Sequence, residues 1–552
     1  MKYVLLSVTL LVSIVCAANA QESGHQHRHD ASEKLGDVRF TVSCTPPAQK
    51  EFNHAVAWLH SFEYDEAAKA FTQVAMTDPR CGMAYWGVAM TKNHLLWAPP
   101  TADELKQGWT AIEKAKTIGA RTQRERDYIK ALEIFYQDAD KLDHRTRTFA
   151  YNEAMKHVYQ TYSSDREAGV FYALTLIATG MISHDKTYAR EKEAAQILNR
   201  VLARQPQHPG VAHYLIHSYD YPELAQLALP AARSYAKIAP ASAHAQHMPS
   251  HIFIRLGLWQ EAIRSNLDAE ASAKAFASRN KLAGAWDEQL HAMDYLAYAY
   301  LQCAQDKQAL AVLDEMKRIQ NTEPKNFKVA YSFAAVPARY VLERKRWDDA
   351  TKLTLPANTV GMFPWQKFGW AEAHIHFARA IGFAHTGDVA AAQRELDQLA
   401  SLRDGVVIAK GEYDWVKQVE IERQIADAWL AYAQGKSDES LKIMRAVADL
   451  DDATDKHPVT PGAILPAREQ LGELLLALKQ PAAALQEFET SLRSTPERFN
   501  GLYGAARAAS LAADDKKART YYQKLIALTQ HADTPRPEID EAKAFLAIAS
   551  KD

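Results

Sequence analysis

The sequence predicts an all-α helical-repeat solenoid, a right-handed superhelix of antiparallel helix pairs. Three observations predict it. Small and apolar residues recur on a 34-residue step, proline follows the second helix of several units, and no stretch shows the period-two alternation of a half-buried strand. A chain of 552 residues would otherwise imply three or four globular domains. A solenoid evades that expectation because each unit buries its apolar face only against its neighbours.

Residues 1–20 read as an export signal. Lys2 supplies the positive end, Val4 to Val15 the apolar run, and Ala18-Asn19-Ala20 the cleavage site, so the mature chain is expected to begin near Gln21. The run is too short to cross a bilayer, and the bulky Ile14 and Val15 argue against lipid attachment at Cys16. No later segment approaches 18 apolar residues, so no membrane span is expected and the compartment is the periplasm or the medium. Residues 21–35 form a polar leader with no apolar periodicity, expected to be disordered. Within it His25, His27 and His29 make a short tract that either chelates loosely or is a solvated tail. Losing the signal removes Lys2 and no acid, moving the formal net charge from −2 to −3. Such a balance offers no electrostatic case for binding nucleic acid.

The helical body divides by pattern into residues 36–206, 207–330 and 331–552. The second helix of a 34-residue unit carries small or apolar residues at positions 20, 24 and 27 and often proline at 32. Ala67, Phe71, Val74 and Pro79 fit, as do Ala194, Leu198, Val201 and Pro206; Ala228, Ala232, Tyr235 and Pro240 follow 34 residues later. Ala262, Asn266 and Ala269 keep the step, and Ala309, Leu313 and Met316 follow an insertion. Four further units follow, around Ala392, Ser440, Ala484 and Ala518. Residues 82–175 are helical by pattern but out of phase, as degenerate units are. These positions are those of the tetratricopeptide (TPR) repeat, so the fold class is a TPR-type solenoid of ten to twelve helix pairs. The last helix, polar outside its apolar positions, suits a cap.

Cys44 and Cys81 bracket the first helix pair, and an oxidising compartment permits a disulfide between them. Cys303 lies in an apolar stretch and is expected to be a buried thiol. The segment Ser43-Cys44, Phe52, Leu59-His60-Ser61-Phe62 and Asp78-Pro79-Arg80-Cys81-Gly82-Met83-Ala84-Tyr85-Trp86-Gly87 resembles the opening of bacterial secreted TPR proteins. The stretches His213 to Asp220 and His244 to His251 resemble that group's centre. The resemblance implies a fold and a compartment and no assigned activity.

Six of the 21 histidines fall within residues 208–251, where composition predicts fewer than two: His208, His213, His217, His244, His247 and His251. The repeat frame, set without reference to histidine, puts His213 and His247 at position 5 and His217 and His251 at position 9. His244 and His291 take position 2, and the unit of His291 carries Asp294 and Tyr298 at positions 5 and 9. Positions 2, 5 and 9 of the first helix face the concave groove. Residues four apart share a helix face, and packed helices approach to about 8–10 Å. The pairs His213–His217 and His247–His251 can therefore converge as ligands for Zn²⁺, Cu²⁺ or Ni²⁺. Two alternatives stand beside the metal: a polar groove that binds peptide or a small ligand, and histidines that merely pack. Pro249, inside the first helix of its unit, is expected to kink it or delay its start.

Tyr219, Asp220, His244, His291, Asp294 and Tyr298 are the expected groove lining. Weaker candidates are His184-Asp185, His374, the stripe Trp86, Met90 and Trp97, and the acidic helix start at Trp286-Asp287-Glu288. No Gly-rich phosphate loop, GxSxG, HExxH or CxxC occurs. The leading reading is a periplasmic binding or scaffold protein that takes a peptide or protein partner in a His-rich groove. The alternative is a metal-dependent hydrolase or oxidoreductase on the same scaffold, with Asp294 or Glu288 as base.

Overall fold

The computed structural model describes residues 34–97, 99–359, 361, 363–408 and 413–548. The expected export signal, Cys16 and the tract His25, His27 and His29 lie outside the described residues. Leu35, assigned from its sequence to the polar leader, is buried in the core.

Helices follow one another in antiparallel pairs. The first pairs are α1 (Pro46–His60) with α2 (Tyr64–Thr77), α3 (Gly82–Met90) with α4 (Ala102–Ile118), and α5 (Gln123–Tyr136) with α6 (His144–Thr161). Next come α7 (Arg166–Ser183) with α8 (Ala189–Leu202) and α9 (Pro209–Tyr219) with α10 (Ala225–Ile238). The following unit has a divided first helix, α11 (Ala243–His247) and α12 (Pro249–Arg255), packed on α13 (Trp259–Arg279). Then α14 (Asp287–Gln302) pairs with α15 (Asp306–Arg318), α16 (Phe327–Leu342) with the short α17 (Trp347–Ala350), and α18 (Gly369–Thr386) with α19 (Val389–Gly405). The series ends with α20 (Trp415–Ala433) and α21 (Ser437–Asp452), α22 (Ala467–Ala477) and α23 (Pro481–Ser494), α24 (Phe499–Leu511) and α25 (Asp515–Leu528), and a last helix α26 (Pro537–Ile548). The fold is an all-α TPR-type solenoid of twelve pairs among the described residues, with residues 82–175 helical as expected. Among the described residues, the only strands are β1 (Ala285–Trp286) and β2 (Thr322–Glu323), which pair in parallel across the unit of α14. Their two-residue length is too short to leave an alternation in the sequence.

Local chemistry explains the helix boundaries. Thr101 with Glu104 and Thr122 with Glu125 form reciprocal capping boxes at the starts of α4 and α5. Asp143, Asp388 and Asp514 cap α6, α19 and α25. Close approach between neighbouring pairs needs small residues: a Cβ on Gly87 of α3 would stand 2.2 Å from the Phe71 ring of α2. Cys44 and Cys81 are joined in a disulfide with Cα atoms 5.1 Å apart, so α1 and α2 are closed at their base. Cys303 is a buried free thiol.

The winding is tight enough for distant units to touch. His60 of α1 meets Tyr214 of α9 at 2.9 Å, and Ser242 donates to Glu63 at 2.7 Å. Near the other end, the Trp259 indole donates to the Glu497 carbonyl at 2.7 Å, and Arg498 donates to the Tyr298 hydroxyl at 2.7 Å. Arg536 pairs with Asp306. The C-terminal units thus pack on the central ones, and α26, mostly exposed, closes the series. No described helix is long and apolar enough to cross a membrane.

Candidate metal centre

Three helix starts carry the histidines. His208 caps α9 through its Nδ1, which accepts from the Val211 amide at 3.3 Å, and Pro209 occupies the first turn. His213 and His217 then stand one turn apart on α9. Ser242 caps α11 by accepting from the Ala245 amide at 3.0 Å. Met248 keeps right-handed helical angles, its amide still reaches the His244 carbonyl, and Pro249 opens α12. Pro249 therefore divides the helix without displacing its histidines, because a proline at a helix start lacks only an amide that has no partner there.

The histidines gather into two trios rather than one foursome. In the first, His213 Nε2 lies 3.1 Å from His217 Nε2 and 3.1 Å from His244 Nε2. In the second, His247 Nε2 lies 3.0 Å from His251 Nε2, and the His291 ring is 4.1 Å from that of His247. The ligand atoms of each trio all fall within 4.8 Å of one another. The expectation of a single set of His213, His217, His247 and His251 is thus corrected. Each position-5 and position-9 pair reaches the position-2 histidine of the next unit, since neighbouring first helices are one packing distance apart. His244 and His291, expected to line the groove, complete the trios.

Hydrogen bonds on the outer nitrogens fix what the inner ones present. His213 Nδ1 meets the His60 carbonyl at 2.7 Å, an oxygen that can only accept, so the proton sits on Nδ1 and Nε2 is a lone pair. His251 Nδ1 donates to Asp220 at 3.0 Å. Burial alone would raise the Asp220 carboxyl, but Lys456, Arg255 and His251 hold it well below the ordinary range. His247 Nδ1 donates to the Asn266 carbonyl at 2.7 Å, an orientation set because the Asn266 amide donates to Ala262 at 2.8 Å. His247 and His251 therefore point two lone pairs at each other across 3.0 Å. Burial pulls both pKa values down, which works against a proton filling the gap. With metal–nitrogen bonds of about 2.0–2.1 Å, two ligands of one ion stand roughly 2.9–3.4 Å apart. The observed 3.0 Å spacing matches that of two ligands of one ion.

A third cluster shows what a satisfied one looks like. His60 Nε2 and His208 Nε2 reach the two oxygens of Glu167 at 3.0 and 2.8 Å. Their Nδ1 atoms face the Tyr214 hydroxyl and the Val211 amide. Every nitrogen has a complementary partner, so this buried group is structural.

The other expected residues separate. Asp220 lies on the wall of a large, partly open chamber of about 1970 Å³, together with His217, Arg255, Lys456, His457 and Tyr298. Asp294 is buried against Arg339 at 2.5 Å, and Glu288 and Asp287 share Lys328, each at 2.6 Å. Neither Asp294 nor Glu288 is free to act as a base at the trios, because each neutralises a buried cation. Tyr219 does not border the chamber. His374 donates to Glu422 at 2.8 Å, while His184 ends α7 in a left-handed, exposed conformation. Trp86 and Met90 are core, whereas Trp97 borders the chamber. Two residues that touch the second trio were not among the expected site residues, Asn266 and Tyr295. Asn266 holds position 24, apolar or aromatic in the other units, and that misplaced amide was the available signal.

Neither a protein-family model nor a curated protein matches this chain. Among solved structures, the human IFIT1 dimer with m7Gppp-AAAA is similar at 11% identity and a TM-score of 0.36, over 85% of this chain and 94% of that one. A monomeric IFIT1 mutant with Gppp-AAAA gives 12% and 0.37, over 85% and 95%. Naa15/Naa10 bound to HypK-THB gives 11% and 0.24, over 92% of this chain and 75% of that one. Likeness at this level says nothing about ligands.

Proposed function

We propose that this chain is an exported helical-repeat binding protein that holds a transition-metal ion, copper or zinc, in each of its two histidine trios. One observation carries the reading: His247 and His251 face each other at 3.0 Å with both outer protons already committed to Asn266 and Asp220. Unprotonated, that arrangement is repulsive without a cation, and buried polar atoms are otherwise paired. Carboxylate and amide partners behind ligating histidines are the usual outer support of a metal site. The disulfide favours an oxidising compartment, in keeping with the export signal read at residues 1–20.

The chamber beside the first trio exceeds the roughly 300–1,000 Å³ of an ordinary small-molecule pocket and suits a peptide segment or a bulky ligand. Binding, rather than hydrolysis, is the reading favoured, since both residues expected as bases are tied in ion pairs. Elemental analysis of mature protein purified without an affinity tag tests the metal. Up to two ions per chain are expected, with retention lost or sharply weakened in His217→Ala/His251→Ala, which removes one ligand from each trio. A chain that keeps no metal after equilibration with Zn²⁺ and Cu²⁺ would overturn the reading.

A further inference from the structure

The two trios occupy equivalent repeat positions, yet their surroundings differ. Around the second, the Tyr295 ring stands 4.5 Å from the His247 ring, 5.3 Å from His251 and 5.2 Å from His291. Its hydroxyl donates to the Val459 carbonyl at 3.1 Å, which leaves the oxygen's lone pairs 3.3 Å from His251 Nε2. All four side chains are buried, and none borders the chamber. Around the first trio the neighbours are also aromatic, with Tyr235 stacked 5.1 Å and Tyr214 5.4 Å from the His213 ring, but the Tyr214 hydroxyl is turned to His60 and, among the described residues, no tyrosine hydroxyl bonds to a nitrogen of this trio. Phe62 packs 4.3 Å from His213 and 5.7 Å from both His217 and His244, and Trp97 lies 5.9 Å from His244. The residue in register with Tyr295 is Met248, four after His244 as Tyr295 is four after His291, and it brings no hydroxyl. His217, half-buried, is on the chamber wall with Leu95, Leu96 and Trp97.

We propose that the ion at His213, His217 and His244 keeps one coordination position open to the chamber and binds a small anion there. The ion at His247, His251 and His291 is closed by the Tyr295 hydroxyl. The inference rests on the metal reading above. Three neutral imidazoles leave the charge of a divalent ion uncompensated, so an open fourth position prefers an anion, and a site with three protein ligands plus an open position is the reactive kind. At the second trio the Tyr295 oxygen fills that fourth position.

Azide titration of the Cu²⁺-loaded full mature chain tests it, read by the azide-to-copper charge-transfer band and by electron paramagnetic resonance. One azide per chain is expected. His251→Ala/His291→Ala should keep the first copper and its azide band. His217→Ala/His244→Ala should keep the second copper and lose the band, and Tyr295→Phe in the otherwise native chain should raise the stoichiometry to two. Two azides in the native chain, a band surviving loss of the first trio, or a band that appears only in Met248→Leu would each overturn the inference while leaving the metal reading intact. A native chain that retains no copper or zinc at all would overturn both.

Discussion

The Nδ1 protons of His213, His247 and His251 are each held by an oxygen that only accepts, and this orients the inward nitrogens of those three. Asn266 is the cleanest place to test such support, because its Oδ1 touches His247 and its amide is anchored on Ala262. Asn266→Ala is expected to weaken metal at the second trio by about 10–100-fold and to leave the first unchanged, as read by competitive Zn²⁺ titration. Elsewhere, His376 makes a pH dependence. Burial would lower its pKa, but bonds to Glu372 and Glu395 outweigh that and raise it to about 9. A histidine raised in the folded state stabilises fully below its unfolded value near 6.5, and that stability is lost as the pH climbs through about 9. Since the ring is 22% exposed, the effect is on the order of 1–2 kcal/mol. His376→Gln should flatten the thermal midpoint between pH 6.5 and 9 relative to the native chain.

At the scale of the element, the repeat makes the site twice. Positions 5 and 9 of one first helix and position 2 of the next converge wherever all three are histidine. In the unit that follows, Asp294 and Tyr298 hold positions 5 and 9 and take Arg339 and Arg498 as partners, so the series of trios stops. The i, i+4 pairs were legible because helical spacing is local. Their division into two trios was not, because it depends on which neighbouring helix supplies the third nitrogen. The first pair of helices depends on a covalent tie as well. The Cys44–Cys81 bridge spans 37 residues, which corresponds to about 3–4 kcal/mol of chain entropy. Reduction is expected to lower the melting temperature and to raise amide exchange first in α1 to α3.

For the whole molecule, the tight winding changes how the solenoid should unfold. Arg498 is fully buried, joining Glu469 at 3.0 Å and Glu343 at 2.8 Å to Tyr298 of α14. Arg498→Ala would leave two carboxylates buried without their cation, at a cost of about 3–5 kcal/mol. Denaturant titration should show one destabilised transition that includes the central units, not a local loosening of the C-terminal ones. An open array, in which each unit touches only its neighbours, would instead fray from its end.

By itself the sequence determined the class of fold, the buried Cys303 and the positions from which the histidines project, and it allowed the bridge between Cys44 and Cys81 that the structure contains. All of these follow from short-range rules: the helical period, the small residues that let two helices meet, and the proline that ends a unit. Tertiary structure decided the rest. How tightly the superhelix winds determines that His60 lends its carbonyl to His213, that Arg498 reaches Tyr298, and that residues of distant units line one chamber. Those contacts join residues 150 to 200 positions apart. Small rotations between successive units add up over that distance, and no local pattern in the chain records their sum.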